Sequence, residues 1–205
     1  MKNLKKYLTQ WFMIFIPVLI ILACAKPAHL NITYQLPLLS DHLKGKTVVI
    51  IIKDQREDKV VFGDAIKAEF QNQDNKFGLS LGRGPDNITQ AGIFHLPALF
   101  KEAFKQRLQN EGVIIASPPK DNMAVFEIIL KIFQIRREGF NWITQVSYEV
   151  NLTKDNQLIA REKVSGTSER FKLLGRNTSE KVISNIFTET LNQLDIKKLF
   201  QQAMF

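Results

Sequence analysis

The segment WITQVSYEVNL, residues 142–152, decides the fold that this sequence predicts. Large apolar side chains such as Trp142 and Tyr148 alternate along it with polar ones such as Gln145 and Glu149. A period of two is typical of a β-strand with one face in the core and the other in water. The segment therefore predicts one strand of an antiparallel sheet.

The segments on either side continue this pattern. Residues 154–157 have the composition of a hairpin turn, and residues 158–167 predict a weaker following strand. A preceding strand is predicted to turn four apolar side chains to one face: Phe126, Ile128, Leu130 and Ile132. Together the three strands predict a β-meander.

Two apolar stripes at helical spacing predict helices before and after the meander. The first covers residues 94–111, and Gly112 is the expected terminator. The second follows a cap-like sequence at residues 177–180 and leads into a last short helix. The stripes consist of Leu96, Leu99, Phe100, Ala103, Phe104 and Leu108, and of Val182, Ile186, Phe187, Leu191 and Leu194.

The segment TVVIIIK, residues 47–53, predicts a strand at the centre of a sheet. The order of elements is then β-α-β-β-β-α. It predicts an α+β fold, a two-layer domain whose antiparallel or mixed sheet of about four strands carries two helices on one face. We assign residues 47–205 to this single domain. A glycine-rich loop around residues 71–93 is expected to be mobile or to project as a hairpin.

The first 23 residues have the features of a lipoprotein signal peptide. Three lysines, Lys2, Lys5 and Lys6, precede an apolar run over residues 11–23. The run is too short for a membrane-spanning helix, which needs about 20 apolar residues.

The apolar run ends at Cys24, the only cysteine of the chain. Residues 21–24, ILAC, resemble the lipobox of bacterial lipoproteins, which implies covalent acyl and diacylglycerol lipid, including palmitate, on Cys24. Ala25 is the kind of residue that implies outer-membrane sorting in those proteins. Residues 24–46 are predicted to be the lipidated cysteine and a tether, with a short edge strand near Ile32. The alternative is that Cys24 is buried in an uncleaved anchor.

Composition narrows the class of partner. A hydrophobic content of 45% is enough for a packed core, and a single cysteine excludes an intramolecular disulfide framework. The net charge of +8 includes the three leader lysines, so the mature chain keeps a modest positive surplus. No nucleic-acid motif is present, and we expect no nucleic-acid partner.

Most of the mature chain resembles the YajG-type bacterial lipoproteins, a functionally uncharacterised family. The resemblance consists of a lipobox cysteine, a Pro-containing tether, a Val/Ile strand ending in Asp-x-Arg, an amphipathic helix ending at glycine, a β-meander and a C-terminal helix. These are Cys24, Pro27, residues 48–52, Asp54-Gln55-Arg56, residues 96–112, residues 126–167 and residues 182–203. The resemblance implies a lipid-anchored outer-membrane protein facing the periplasm.

Two sets of charged residues are candidate sites. Asp54 and Arg56 end a buried strand, and we predict a structural ion pair, with a functional site as the alternative. Basic residues near strand ends are candidates for contact with anionic lipid, the alternative being a solvated basic rim. They are Arg136, Arg137, Arg161 and Lys163, with Arg170, Lys172 and Arg176 nearby.

No catalytic constellation is predicted. Residues 78–82 match the G-x-S-x-G pattern around Ser80, but Gly84 and Pro85 oppose the helix that a nucleophile elbow needs. The three histidines have no metal-ligand spacing, and we expect neither a metal nor a cofactor. We therefore predict a non-enzymatic envelope lipoprotein that binds a partner protein or anionic lipid. The alternatives are a serine hydrolase using Ser80 and a structural subunit of a larger envelope complex.

Overall fold

The structure is a computed structural model, and it describes residues 29–67, 76–84, 86–117, 122–139, 141–171 and 178–203. The predicted signal peptide and Cys24 lie outside the described residues. Within these residues, no helix is long and apolar enough to cross a membrane.

The predicted meander is part of a five-stranded sheet. Its strands are β2 (Thr47–Asp54), β5 (Ile114–Ile115), β6 (Ala124–Glu138), β7 (Asn141–Lys154) and β8 (Gln157–Phe171). Their order is β5-β2-β6-β7-β8, in which β6, β7 and β8 are antiparallel neighbours and β2 runs parallel to β5 and β6. The α+β class and the mixed sheet agree with the prediction.

A second sheet of three strands was not predicted. It contains β1 (Leu30–Gln35), β3 (Lys76–Gly82) and β4 (Ile88–His95), with β3 parallel to β1 and antiparallel to β4. The prediction of about four strands in one sheet is therefore wrong, because the chain forms eight strands in two sheets over its described residues.

The tether prediction is corrected for residues 30–35. Leu30, Ile32 and Tyr34 have no exposed surface, so β1 belongs to the core and the domain does not begin at residue 47. Alternation of apolar and polar residues over only six positions is a short signal. Pro27 and Pro37, on either side of this segment, favoured the interpretation that it is a linker.

The glycine-rich loop predicted around residues 71–93 is, in its described part, the β3–β4 hairpin. Gly78 lies within β3, where a Cβ atom would be 2.7 Å from Asn31 Oδ1. Glycine here permits a close approach of neighbouring strands, which is one of its functions in sheets. Gly78 therefore indicates close packing of neighbouring strands, and the described part of this segment is the hairpin of the two predicted alternatives.

Four helices accompany the sheets in the described residues. They are α1 (Asp64–Lys67), α2 (Leu96–Asn110), α3 (Thr178–Asn192) and α4 (Ile196–Gln202). Phe100 of α2 lies edge-on to Phe133 of β6, at 5.6 Å between ring centroids, and to Phe187 of α3, at 5.2 Å. Phe104 likewise meets Tyr148 of β7 at 5.5 Å. These rings join both long helices to the inner face of the five-stranded sheet.

A bulge in β6 changes which residues face the core. The pairing with β7 shifts between Leu130 and Ile132, so Lys131 has no paired residue opposite it. Ile132, predicted to face inward, is half-buried, and the buried positions continue at Phe133 and Ile135. One extra residue in a strand moves every later side chain to the other face.

The domain has two ends, which we name after the turns of the meander. At the Gly139 end, the β6–β7 turn lies near the starts of β1 and β3, because Phe62 bridges Ile135 of β6 and its ring is 5.9 Å from that of Phe77. The Asp155 end holds the β7–β8 turn, the start of β2 and the end of α2.

Candidate functional site

Asp54 and Arg56 form a two-hydrogen-bond ion pair at the end of β2. Arg56 Nε donates to Asp54 Oδ1 and Nη2 to Oδ2, each at 3.0 Å, and the Arg56 backbone N–H donates to Oδ1 at 3.2 Å. Arg56 is buried, with 6% of its surface exposed. Lys59 adds a contact from its Nζ to Asp54 Oδ1 at 3.1 Å. The pair therefore fastens the strand end to the loop that follows.

The hydrogen bonds at Asp54 decide the charge of its carboxyl group. Burial raises the pKa of Asp54, but the hydrogen bonds from Arg56 and Lys59 outweigh burial and bring the pKa below its ordinary value. The carboxylate is therefore charged at neutral pH and its two oxygens are engaged within the chain. A metal ion or a ligand would have to replace these contacts.

The four candidate anion-binding residues fall into two separate groups. Arg136 and Arg137 lie at the Gly139 end, where Arg137 is paired with Trp142 of β7. Arg161 and Lys163 of β8 are paired with Asn151 and Glu149, toward the middle of the sheet. Arg161 and Lys163 therefore lie away from the end of the sheet that carries Arg136 and Arg137. A 15-residue strand can carry cations far apart along its length.

Arg161 and Lys163 already have acidic partners on the outer face of the five-stranded sheet. Arg161 Nε lies 3.1 Å and Lys163 Nζ 3.6 Å from the carboxylate of Glu149. Arg161 also donates to Asn151 Oδ1 at 3.0 Å. A shared carboxylate reduces the attraction of these cations for an external anion, so the exposed Arg136 is a stronger candidate than either of them.

Ser80 lies in the middle of β3, between Thr33 of β1 and Gln90 of β4. It is buried, and its hydroxyl lies 3.3 Å from Asn31 Oδ1. A nucleophile elbow needs an exposed serine on a strained strand-to-helix turn. Ser80 has neither that turn nor that exposure.

Side chains of α3 cover the free edge of β1, an arrangement that the sequence reasoning missed. Three backbone N–H groups of β1 donate to α3: Asn31 to Glu180 Oε1 at 3.1 Å, Thr33 to Ser184 Oγ at 2.9 Å and Gln35 to Thr188 Oγ1 at 3.1 Å. Four residues of helix rise about 6 Å and two residues of strand about 6.6 Å, so the two repeats stay in step. The signal in the sequence was a polar residue at every fourth position of the helix, at Glu180, Ser184 and Thr188.

Arg107 of α2 is a second residue that the sequence reasoning missed. Its Nη1 donates to the carbonyl oxygen of Leu191, and its Nη2 donates to that of Leu194 at 2.5 Å. Leu191 lies in the last turn of α3 and Leu194 just after it, where a cation is favourable because the helix dipole is negative there. Glu111 lies 3.6 Å away, and burial raises the pKa of Glu111. The side chain of Arg107 in α2 therefore binds the backbone at the C-terminal end of α3.

Two adjoining clefts, of about 410 and 360 Å³, open at the Asp155 end. Lys46, Thr47, Asn122, Met123 and Lys154 line the first, and the second extends to the β7–β8 turn. Over the described residues, no group of three or more His, Cys, Asp or Glu side chains is placed to hold a metal ion.

Comparisons with known proteins give little further information. No protein-family model and no curated protein match the sequence. A Xanthomonas campestris protein of the DUF330 family has a solved structure similar to 85% of this chain and 96% of its own, at 10% identity and a TM-score of 0.44. The lipoprotein GNA1162 of Neisseria meningitidis covers 72% of this chain and 96% of its own, at 12% identity and a TM-score of 0.31. TM-scores this low carry no functional argument, and the YajG-type resemblance stays a prediction.

Proposed function

We propose that this protein is a lipid-anchored lipoprotein of the bacterial envelope, held in the outer membrane with its domain facing the periplasm. The observation that carries the proposal is the leader, in which lysines precede an apolar run that ends at Cys24. Diacylglycerol and an acyl chain on that sulfur together give stable membrane attachment, because anchoring needs more than one chain.

The domain is proposed to be a non-catalytic binding or assembly module. Several charged candidate residues form ion pairs within the domain: Asp54 with Arg56, and Glu149 with Arg161 and Lys163. Active sites instead place polar groups around an open cavity where they meet a substrate. This internal pairing supports a structural role for these charges.

Arg136 and Arg137 are the residues we propose for contact with anionic lipid. Arg136 is exposed, and both follow the buried part of β6 near its turn. A guanidinium group binds phosphate through paired hydrogen bonds, which suits the phosphates of phospholipid or lipid A. A protein partner in the envelope is the second candidate ligand, and crosslinking in intact cells would identify it as one dominant product.

Metabolic labelling tests the anchor. We expect radiolabelled palmitate to enter the wild-type protein and not Cys24→Ser, and the wild type to stay in the membrane fraction after a carbonate wash. Equal labelling of the two proteins, or release of the wild type by carbonate, would exclude the anchor.

An esterase assay tests the absence of catalysis. We expect purified wild type and Ser80→Ala to hydrolyse short acyl esters no faster than buffer. A measurable activity that disappears in Ser80→Ala would show that the hydrolase alternative is correct.

A further inference from the structure

We propose that the Gly139 end of the domain lies against the membrane that holds Cys24, and that the Asp155 end points away from it. This orientation rests on the proposed lipid anchor. The orientation adds to that anchor one surface of the domain that contacts the membrane and one that faces the periplasm.

The orientation follows first from the length of chain between the anchor and the domain. β1 begins at Leu30, six residues after Cys24, and Leu30 is already fully buried. A chain spans at most about 3.3–3.6 Å per residue, so the first residue of the fold lies within about 20 Å of the anchored cysteine. The start of β1 must therefore be close to the membrane surface.

The start of β1 lies at the Gly139 end. β1 and β3 are parallel with Leu30 opposite Phe77, whose ring contacts that of Phe62 beside the end of β6. The first turn of α3 is there as well, because Glu180 accepts the N–H of Asn31. The chain thus enters the domain at the end that carries the β6–β7 turn.

The opposite orientation exceeds the reach of the chain. β7 runs from one end of the domain to the other over 14 residues, which is about 45 Å at the usual rise of a strand. The start of β1 is level with Ile135, which pairs with Thr144, so about ten residues of β7 separate it from the Asp155 end. If that end faced the lipid, the start of β1 would be about 33 Å from the membrane, farther than the roughly 20 Å that the chain from Cys24 can span.

The side chains at the Gly139 end are compatible with a phospholipid surface. Described cations there include Lys67, Lys76, Arg136, Arg137 and Lys181, and described acids include Asp58, Asp64, Glu138, Glu169 and Glu180. Four of these acids already accept hydrogen bonds within the chain: Asp58 from Gln134, Asp64 from Lys67, Glu169 from Asn141 and Glu180 from Asn31. Arg136 is exposed at this end, with Arg137 next to it in the strand, and a guanidinium group suits the phosphates of anionic lipid.

Energy transfer to labelled lipid tests the orientation, with both ends of β7 as matched positions. Glu138→Cys places a thiol at the Gly139 end and Gln157→Cys places one at the Asp155 end, and both side chains are exposed. In the lipidated protein the sulfur of Cys24 is blocked, so the introduced thiol is the only one that a fluorophore can label. The labelled proteins are reconstituted into phosphatidylethanolamine–phosphatidylglycerol vesicles that carry a headgroup acceptor.

We expect transfer efficiency to be severalfold higher from position 138 than from position 157. Equal transfer, or higher transfer from position 157, would overturn the orientation. Mass spectrometry of Cys24 and flotation with the vesicles report separately on the anchor. If Cys24 is lipidated and the protein floats while position 157 is closer, only the orientation fails. An unmodified Cys24 would overturn both proposals.

A second pair of labels covers the case in which the first variants fail to fold. The second pair is Lys76→Cys and Arg83→Cys, because Lys76 begins β3, Arg83 directly follows its last residue and both side chains are exposed. We expect higher transfer from position 76. A flexible Gly/Ser insert after Ala25, long enough to exceed the length of the domain, should remove the difference. A difference that persists unchanged would show that the chain length does not set the orientation.

Discussion

Arg56 is buried although it carries a full charge, because Asp54 and the Lys59 carbonyl oxygen accept its hydrogen bonds. We expect Arg56→Ala to lower the free energy of unfolding by about 1.5–3 kcal/mol, the usual contribution of hydrogen bonds to charged groups. Urea denaturation followed by circular dichroism measures this change.

Lys59 is the matched control for Arg56. Its ammonium group contacts the same carboxylate, but 57% of its side chain is exposed. Exposed ion pairs contribute about 0–1 kcal/mol, so Lys59→Ala should have a much smaller effect. Arg56→Ala with unchanged stability and a lost cellular phenotype would show instead that the pair is a functional site.

Acid titration tests the pKa of Asp54. The pKa of its carboxyl group is lower in the folded protein than in the unfolded chain, so its charge stabilises the fold at pH values above the ordinary pKa, about 4. This stabilisation is lost as the pH falls through the lower folded pKa. We expect the melting-temperature difference between wild type and Asp54→Asn to be constant above about pH 5 and to shrink below about pH 4. A pH-independent difference would contradict the assignment.

Arg107 is expected to contribute strongly to stability, because its side chain holds α2 to the end of α3. Arg107→Met keeps much of the packing volume but leaves the carbonyl oxygens of Leu191 and Leu194 without their donors. We expect a loss of about 2–4 kcal/mol, since buried polar groups without partners are costly. Lys101→Met, at an exposed position of the same helix, should change stability by less than about 0.5 kcal/mol. Similar thermal transitions for the two variants would contradict this role of Arg107.

At the scale of the element, α3 completes the hydrogen bonding of β1. Thr33 N donates to Ser184 Oγ, and Thr188 Oγ1 accepts from Gln35 N while lying 3.4 Å from the Thr33 carbonyl oxygen. We expect Ser184→Ala combined with Thr188→Val to cost about 2–4 kcal/mol. Amide exchange at Thr33 and Gln35 should accelerate more than exchange in β7.

Asn185 provides the control for the helix. It neighbours Ser184 but is exposed, so Asn185→Ala should leave amide exchange in β1 unchanged. If the Ser184 and Thr188 double variant and Asn185→Ala gave the same exchange rates in β1, the helix would not be what protects the strand edge.

Sequence reasoning succeeded for elements whose pattern is long. The alternation in β7 and the stripe of α2 extend over many residues, so single exceptions do not hide the period. It failed where one residue shifts the register, as Lys131 does in β6, and where short strands pair with distant segments, as β1 does with β3. A bulge and a parallel pairing depend on long-range contacts that no local pattern records.

The candidate sites show the same division between local and distant contacts. Asp54 and Arg56 are two residues apart, so their ion pair was foreseeable from spacing. The contact of Arg107 with α3 joins residues 84 and 87 positions apart, and the separation of Arg161 from Arg136 depends on strand register. Neither the Arg107 contact nor the separation of the two arginines can be predicted before the topology is known.

At the scale of the whole molecule, β1 is the segment on which the three-stranded sheet and α3 depend. A chain that begins at His29 should unfold in one cooperative transition, whereas one that begins at Thr47 should not fold. Removing β1 exposes the surfaces that cover Leu30, Ile32 and Tyr34. Each fully buried side chain of this size contributes about 1.5–3 kcal/mol. The total loss is comparable with the 5–15 kcal/mol that stabilises a typical domain.

Circular dichroism and calorimetry of these two chains distinguish a tether from a core strand. If residues 30–46 were only a tether, both chains would melt at the same temperature. If β1 is part of the core, the shorter chain should lack a cooperative transition and bind a hydrophobic dye, because Phe187 loses its edge-to-face contact with Tyr34 at 6.0 Å between ring centroids. The same pair of chains also tests the argument for orientation, since that argument requires the fold to begin at Leu30 and not at Thr47.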